Sequence, residues 1–265
     1  MFTVSLSVNT PGVAEIVGDL RPGGPDLLLL LHGWQRTSAD WGPVLAEIHG
    51  GCAALCLDLP GFGRSLPPVY AIGSAGYAEA VAGAVKEFAI QKGFERIFAV
   101  GHSFGGRVAI QMGAREVGTF AGLVLAGTPV LRRQPSAKPP LLYGLIRNWA
   151  RRGVLPASAL DWARRRYGSA DYNSAGGVMR DVLVKVVNES YLAELAACSM
   201  PVELVTGELD TAAPPDAAMA ASAQAEMVEA VVVAGAGHML PLTHPKEIVA
   251  ALERIQKRAG RLNHG

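Results

Sequence analysis

Apolar and polar positions alternate along Phe2–Asn9, with Phe2, Val4, Leu6 and Val8 on one side. A period of two predicts a strand with one buried face. Val13–Asp19 predicts a second strand, and Pro11-Gly12 between them marks a hairpin turn. Beyond Pro22-Gly23-Gly24-Pro25 the alternation gives way to the unbroken apolar run Leu27–Leu31, the pattern of a strand covered on both faces. Ala53–Asp58, Arg96–Gly101, Ala121–Ala126, Pro201–Thr206 and Val228–Ala234 predict further strands. Helices are predicted between them: Ser38 to about His49 with Ser38 as its cap, Gly73–Gly93, Phe104–Val117, Ala213–Ala225 and His244–Arg258. Ala80, Val81, Ala84, Val85 and Phe88 give the second of these an apolar face. Strands alternating with helices predict an α/β fold: a mostly parallel sheet with helices on both faces.

The alternation stops at Thr128-Pro129. Leu131–Ala197 reads as helical, Arg-rich and irregular, and the strand–helix rhythm resumes at Pro201. Two units are therefore expected: a core formed by residues 1–130 and 198–265, and an inserted helical cap, 131–197, lying over the sheet. The tail Gly260–Gly265 is expected to fray.

Composition narrows the picture. Half of the 265 residues are hydrophobic, enough for one α/β domain with a sizeable core. A formal net charge of +1 gives no reason to expect nucleic acid. Cys52, Cys56 and Cys198 form no Cys-x-x-Cys pair and have no His at ligand spacing, so they predict buried thiols in a reducing compartment and no metal. Met1–Thr10 lacks a basic region followed by a long apolar one, and Leu27–Leu31 is too short to span a bilayer. A cytoplasmic protein without stable membrane insertion is expected. No pattern in the chain fixes an oligomeric state.

The chemistry concentrates around Gly101-His102-Ser103-Phe104-Gly105, between the strand Arg96–Gly101 and the following helix. A serine on a tight strand-to-helix turn is held strained with its hydroxyl exposed, and flanking glycines let strand and helix approach. The helix N-terminus favours developing negative charge. A serine hydroxyl needs a base, and a base needs an orienting carboxylate. Of six histidines, His238 follows a predicted strand end in Gly235-Ala236-Gly237-His238, whereas His244 opens the last helix and reads as a cap or a solvent-facing residue. Asp210 follows the strand Val202–Thr206 in Gly207-Glu208-Leu209-Asp210, with Glu208 and Asp216 as rivals. Developing oxyanion charge calls for backbone donors. The N–H of Phe104 and that of Trp34, in the loop His32-Gly33-Trp34, are the candidates.

These motifs, with Asp58-Leu59-Pro60-Gly61-Phe62-Gly63-Arg64-Ser65 and Pro245 beyond His238, resemble the α/β-hydrolase superfamily in its own order, over the whole chain outside the insertion. The resemblance implies an eight-stranded, mostly parallel sheet, a Ser103–Asp210–His238 triad, no cofactor, and a helical cap. A serine nucleophile sets the chain apart from the haloalkane dehalogenase and soluble epoxide hydrolase branches, which attack with a carboxylate. Esterases, lipases, thioesterases, peptidases, carbon–carbon bond hydrolases and cofactor-free haloperoxidase-like members stay open. A carboxylic-ester or thioester hydrolase ranks first, a pathway-specific acyl or carbon–carbon hydrolase second, and a non-catalytic ligand-binding member third. His32, Gly33, Trp34, His102 and Trp149 are expected to line the pocket of a small acyl substrate.

The predicted cap carries eleven Lys or Arg against five Asp or Glu, a net +6 in a chain of net +1. Such a field would attract an anionic substrate or an acidic partner. Solvated helix faces account for the same residues, and Leu141, Leu142, Leu145, Ile146, Trp149 and Val154 interleaved with Arg147, Arg151 and Arg152 also fit a basic amphipathic helix at a membrane surface.

Overall fold

A computed structural model describes residues 1–131, 145–146, 148–150, 152–156, 158–160, 162–163 and 170–262. Seven strands form one sheet: β1 (Phe2–Ser7), β2 (Glu15–Leu31), β3 (Cys52–Leu57), β4 (Arg96–His102), β5 (Gly122–Ala126), β6 (Val202–Gly207) and β7 (Val228–Val233). Helices among the described residues include α1 (Gly42–Glu47), α2 (Ser74–Lys92), α3 (Phe104–Arg115), α4 (Ala170–Ser174), α5 (Gly177–Val186), α6 (Leu192–Ala197), α7 (Pro215–Ser222), α8 (Leu240–Thr243) and α9 (Pro245–Leu262), with a 3-10 turn at Ser38–Trp41 before α1.

The two strands expected at Val13–Asp19 and Leu27–Leu31 are both parts of β2. Its first run pairs antiparallel with β1 and lies beside β3 with partners that descend from Leu57 at Gly18 to Ala54 at Arg21. Its second run lies beside β3 with partners that ascend from Ala53 at Leu27 to Leu57 at Leu31, and pairs parallel with β4. β2 thus folds back at Pro22–Pro25 and flanks β3 on both sides. Seven continuous strands fill the eight places that the motifs implied. Gly23 and Gly24 permit the fold-back: a Cβ at Gly23 would collide with the Cys52 carbonyl, and one at Gly24 would lie 2.6 Å from that of Gly51. From β4 through β7 all pairings are parallel.

Period two explains the apolar run. Leu27, Leu29 and Leu31 enter one core layer, packed with α2 and α3 residues such as Tyr77, Val81, Val108 and Ile110. Leu28 and Leu30 enter the other, with Val44 of α1 and Ile248, Leu252 and Ile255 of α9. Burying each such leucine contributes roughly 2 kcal/mol. Helices therefore cover both faces, and the described residues include no helix long and apolar enough to cross a membrane.

One local expectation needs correction. Ser38 caps no helix with its side chain; its N–H goes to Asp58 Oδ1 at 2.7 Å, so α1 is entered through the 3-10 turn. His244 is a cap, as expected: it closes α8 with its N–H bonded to Leu240 O and directly precedes α9, its Nδ1 2.9 Å from Thr243 Oγ1. Cys52, Cys56 and Cys198 are free and buried.

Between β5 and β6, α4, α5 and α6 occupy part of the segment expected as a cap. Arg132, Arg133, Lys138, Leu141, Leu142, Arg147, Arg151 and Arg164–Arg166 lie outside the described residues. The end of this segment is tied to the core. Glu189 accepts from the hydroxyls of Ser74 (2.5 Å) and Tyr191 (2.7 Å), so its carboxylate sits at the N-terminus of α2, where Gly73 offers no side-chain cap. Buried Arg107 of α3 donates to the Val186 carbonyl at 2.8 Å with its guanidinium over the Tyr191 ring.

Candidate active site

The C-terminal ends of parallel strands share one edge of a sheet, and the loops beyond them meet there. Three such ends supply the site. β4 ends at His102, and Ser103 turns the chain into α3 with φ 51° and ψ −106°, a strained conformation for a residue with a Cβ. Neighbours hold the strain: Ser103 N–H donates to Ala126 O at 2.9 Å and Gly105 N–H to His32 O at 3.1 Å. The flanking glycines are required by contact. A Cβ on Gly105 would strike the Leu31 carbonyl, and one on Gly101 would lie 2.5 Å from the Gly105 carbonyl oxygen.

His238 follows β7 and Asp210 follows β6. His238 Nε2 lies 3.0 Å from Ser103 Oγ, and His238 Nδ1 lies 2.8 Å from Asp210 Oδ2. Asp210 is buried, and its Oδ1 accepts the N–H groups of Ala212 (2.8 Å) and Ala213 (2.9 Å). Burial alone would raise its pKa. The hydrogen bond and charge of His238 and the two backbone donors outweigh burial and hold the carboxyl below the usual carboxylate value. A carboxylate only accepts, so Nδ1 carries the imidazole proton and Nε2 is left as an acceptor facing the serine hydroxyl. The arrangement can draw a proton from Ser103 Oγ.

The rivals are placed elsewhere. Glu208 accepts the Gly235 N–H at 2.9 Å and so secures the start of the His238 loop, while Asp216 caps the adjacent Ala217 N–H at the start of α7.

The loop after β2 lies beside Ser103: a Cβ on Gly33 would be 3.5 Å from the Ser103 Cβ. Leu59 N–H donates to His32 Nε2 at 2.9 Å, so Nδ1 bears the proton and donates to Gly33 O at 2.7 Å. That bond orients the Gly33–Trp34 peptide, whose N–H points away from His32 because the peptide is trans. Phe104 opens α3, where first-turn N–H groups have no acceptor within the helix.

His32, Gly33 and His102 were expected on the pocket wall. All three are buried, and both rings bond to backbone partners. Burial lowers the His32 pKa. Trp34 is partly exposed and packs edge-to-face on Phe62 (4.9 Å between centroids) and Phe104 (5.4 Å), with Tyr77 beneath Phe104 at 5.0 Å. Trp149 is about half exposed on the segment between β5 and β6. Gln35 went unread in the sequence. It directly follows Trp34, has φ 55°, and donates to Ser174 Oγ of α4 at 2.7 Å. Among the described residues no cluster of His, Cys, Asp or Glu is arranged to hold a metal ion.

A family model described as the alpha/beta hydrolase family matches residues 28–252. A 2-succinyl-6-hydroxy-2,4-cyclohexadiene-1-carboxylate synthase of Salmonella paratyphi B is 29% identical over 250 residues, covering 89% of this chain and 95% of that protein. Among solved structures, an esterase from a Rhodococcus species superposes with a TM-score of 0.71 at 22% identity, covering 97% of this chain and 100% of that one. A thermophilic esterase from Thermogutta terrifontis, solved with malate bound, gives 0.70 at 20% identity, with coverages of 98% and 99%. Those two likenesses are of fold. The family match takes in most of the sheet, Ser103, Asp210 and His238, and the chain belongs to the alpha/beta hydrolase family.

Proposed function

We propose that the protein is a serine hydrolase that cleaves a carboxylic ester or thioester of a small acyl substrate through Ser103, His238 and Asp210. The observation that supports this most is the unbroken relay from Asp210 Oδ2 to His238 Nδ1 (2.8 Å) and from His238 Nε2 to Ser103 Oγ (3.0 Å). His238 takes the hydroxyl proton as Ser103 Oγ bonds to the substrate carbonyl carbon. The N–H groups of Trp34 and Phe104 receive the oxyanion, and the oriented Gly33–Trp34 peptide supports that role. The C–O or C–S bond then breaks, with His238 returning the proton to the leaving alcohol or thiol. Water gives its proton to His238 and attacks the acyl-enzyme, and the acid leaves as Ser103 recovers its proton. Asp210 holds the imidazole orientation and stabilises its charged form. No step calls for a cofactor.

Residues 131–197 are assigned as the cap. Their net charge of +6 favours an anionic acyl substrate. Ser103→Ala should fold normally, lose hydrolysis of a small p-nitrophenyl ester, and lose labelling by a fluorophosphonate. Retained turnover would end the assignment. Rising ionic strength should lower kcat/KM for anionic esters and leave neutral esters unaffected; equal responses would remove the electrostatic component.

The synthase that matches nearly the whole chain is named for a carboxylate compound and favours the second reading, a carbon–carbon bond or other pathway-specific acyl hydrolase with the same three residues. Mass spectrometry divides the two. Ester and thioester cleavage leaves a transient acyl group on Ser103 and releases an alcohol or a thiol, whereas carbon–carbon hydrolysis releases neither. A non-catalytic binding member would leave Ser103 unlabelled.

A further inference from the structure

His102 ends β4, immediately before Ser103, and is 2% exposed. A buried imidazole needs a reason, because buried polar groups carry partners. Its Nε2 lies 2.9 Å from the main-chain carbonyl oxygen of His238. A carbonyl only accepts, so Nε2 carries the proton and Nδ1 is bare. Nδ1 is buried with no hydrogen-bond partner, and a Cβ on Gly33 would come within 2.9 Å of it. An unsatisfied buried acceptor costs about 1–3 kcal/mol. The site retains that cost, and its single polar return is the bond to His238.

That bond closes a ring. His102 grips the main chain of His238, and the next residue, Ser103, meets the His238 imidazole at 3.0 Å. The rest of the loop is held upstream, where Glu208 takes the Gly235 N–H and Leu209 N–H donates to Ala236 O. The two imidazole centroids are 5.0 Å apart at 48°. A cation on His102 would oppose an imidazolium on His238. Burial pushes the His102 pKa down to about 4, which keeps the ring neutral near pH 7.

We propose that His102 is a positioning residue: its Nε2–H fixes the His238 main chain so that one imidazole reaches Ser103 Oγ and Asp210 together. The proposal rests on the reading of Ser103 as nucleophile. It differs from the pocket-lining role expected of His102 in that the ring acts through the His238 main chain. Bulk alone would not serve, since phenylalanine fills the space without a donor, whereas glutamine brings an amide N–H.

The test compares wild type, His102→Phe and His102→Gln, each checked for a cooperative thermal transition. His102→Phe should slow fluorophosphonate labelling of Ser103 and lower kcat on a small ester on the order of 100-fold, as expected for a misplaced catalytic group, with KM little changed. His102→Gln should recover most of the loss. A proton NMR readout is independent of turnover. The downfield Nδ1–H resonance of His238, bonded to Asp210, should broaden or vanish in His102→Phe and return in His102→Gln. An unchanged labelling rate with an unchanged resonance in His102→Phe overturns the proposal. Should His102→Phe fail to fold, nitrogen shifts of wild-type His102 decide: the Nδ1–H tautomer overturns the proposal and the Nε2–H tautomer supports it. If wild-type Ser103 is never labelled while the His238 resonance still depends on His102, the hydrolase reading fails and the positioning role stands. Undiminished labelling of His102→Phe with an unchanged His238 resonance does the reverse.

Discussion

Gln35 and Ser174 join the loop that carries Trp34 to α4 by a hydrogen bond of 2.7 Å across 139 residues of sequence. Gln35 makes it from a left-handed backbone, φ 55°, which costs a residue with a Cβ about 1 kcal/mol or more. The bond is exposed and returns about 1 kcal/mol. It therefore contributes little to stability and more to where the loop and α4 sit relative to each other.

Ser174→Ala should accordingly raise KM for a small ester by up to about fivefold, the equivalent of about 1 kcal/mol, while the thermal midpoint stays near that of wild type. Gln35→Ala loses the bond and keeps the strain; Gln35→Gly loses the bond and relieves it. Steady-state kinetics should show the same rise in KM for both, with the midpoint of Gln35→Gly closer to wild type. An unaltered KM in all three variants would mean that this tie does not reach the site.

Asp210→Asn tests the tautomer argument. The amide oxygen can still accept from Ala212 and Ala213, which leaves the NH2 facing His238 Nδ1. Two donors cannot share that bond, so the imidazole proton moves to Nε2 and the acceptor opposite Ser103 is lost. A fall of roughly 10³- to 10⁴-fold in kcat is expected with a native-like circular dichroism spectrum. A fall of less than tenfold would show that Asp210 does not set the tautomer.

Ser103, Asp210 and His238 were legible in the sequence because each follows a run apolar enough to mark a strand, and parallel strands deliver their C-terminal ends to one edge. Leu27–Leu31 was legible for a related reason: burial on both faces removes every polar position. What stayed hidden depends on distant partners. Pro22-Gly23-Gly24-Pro25 looked like a turn between separate strands, yet the chain pairs with β3 on both sides of it, up to Arg21 and again from Pro25. Ser38 looked like a cap because nothing local shows its N–H committed to Asp58. His32 and His102 drew attention as pocket residues by lying near the nucleophile, but their partners are backbone atoms of Gly33, Leu59 and His238, which no residue spacing reveals.

Two glycines should respond oppositely to alanine. At Gly105 the added Cβ meets the Leu31 carbonyl and lies 2.7 Å from that of His32, both backbone atoms of a central strand and the loop beyond it. Overpacking there should cost about 3 kcal/mol, lowering the thermal midpoint by roughly 6–12 °C. Gly83 lies in the interior of α2, exposed, with nothing within 4 Å of the added atom. Gly83→Ala should gain about 0.5–1 kcal/mol and raise the midpoint by about 1–4 °C. Calorimetry of the two variants gives the sign in each case.

Asp58 and Arg64 set an acid limit on stability. Asp58 Oδ1 accepts the Ser38 N–H at 2.7 Å, and Oδ2 accepts Arg64 Nε at 2.7 Å and the Arg64 N–H at 3.2 Å. Burial pushes the Asp58 carboxyl up, but the bonds from Ser38 and Arg64 together hold it below 3.8. Asp19, bonded by the same guanidinium at 2.7 Å, is lowered as well, with the Arg64 bond as the largest cause. A depressed folded pKa contributes stability that is complete above the unfolded value and is lost as pH falls through the folded one. Asp58→Asn leaves buried donors facing an amide and should cost about 1–3 kcal/mol near neutral pH. Arg64→Met should cost less, because the Arg64 side chain is 40% exposed and solvent already screens its charge. Urea unfolding from pH 7 downward should show the gap between wild type and Asp58→Asn constant to about pH 4, then narrowing as the wild-type carboxylate is protonated. A gap that narrows well above pH 5 would place the controlling titration on another group.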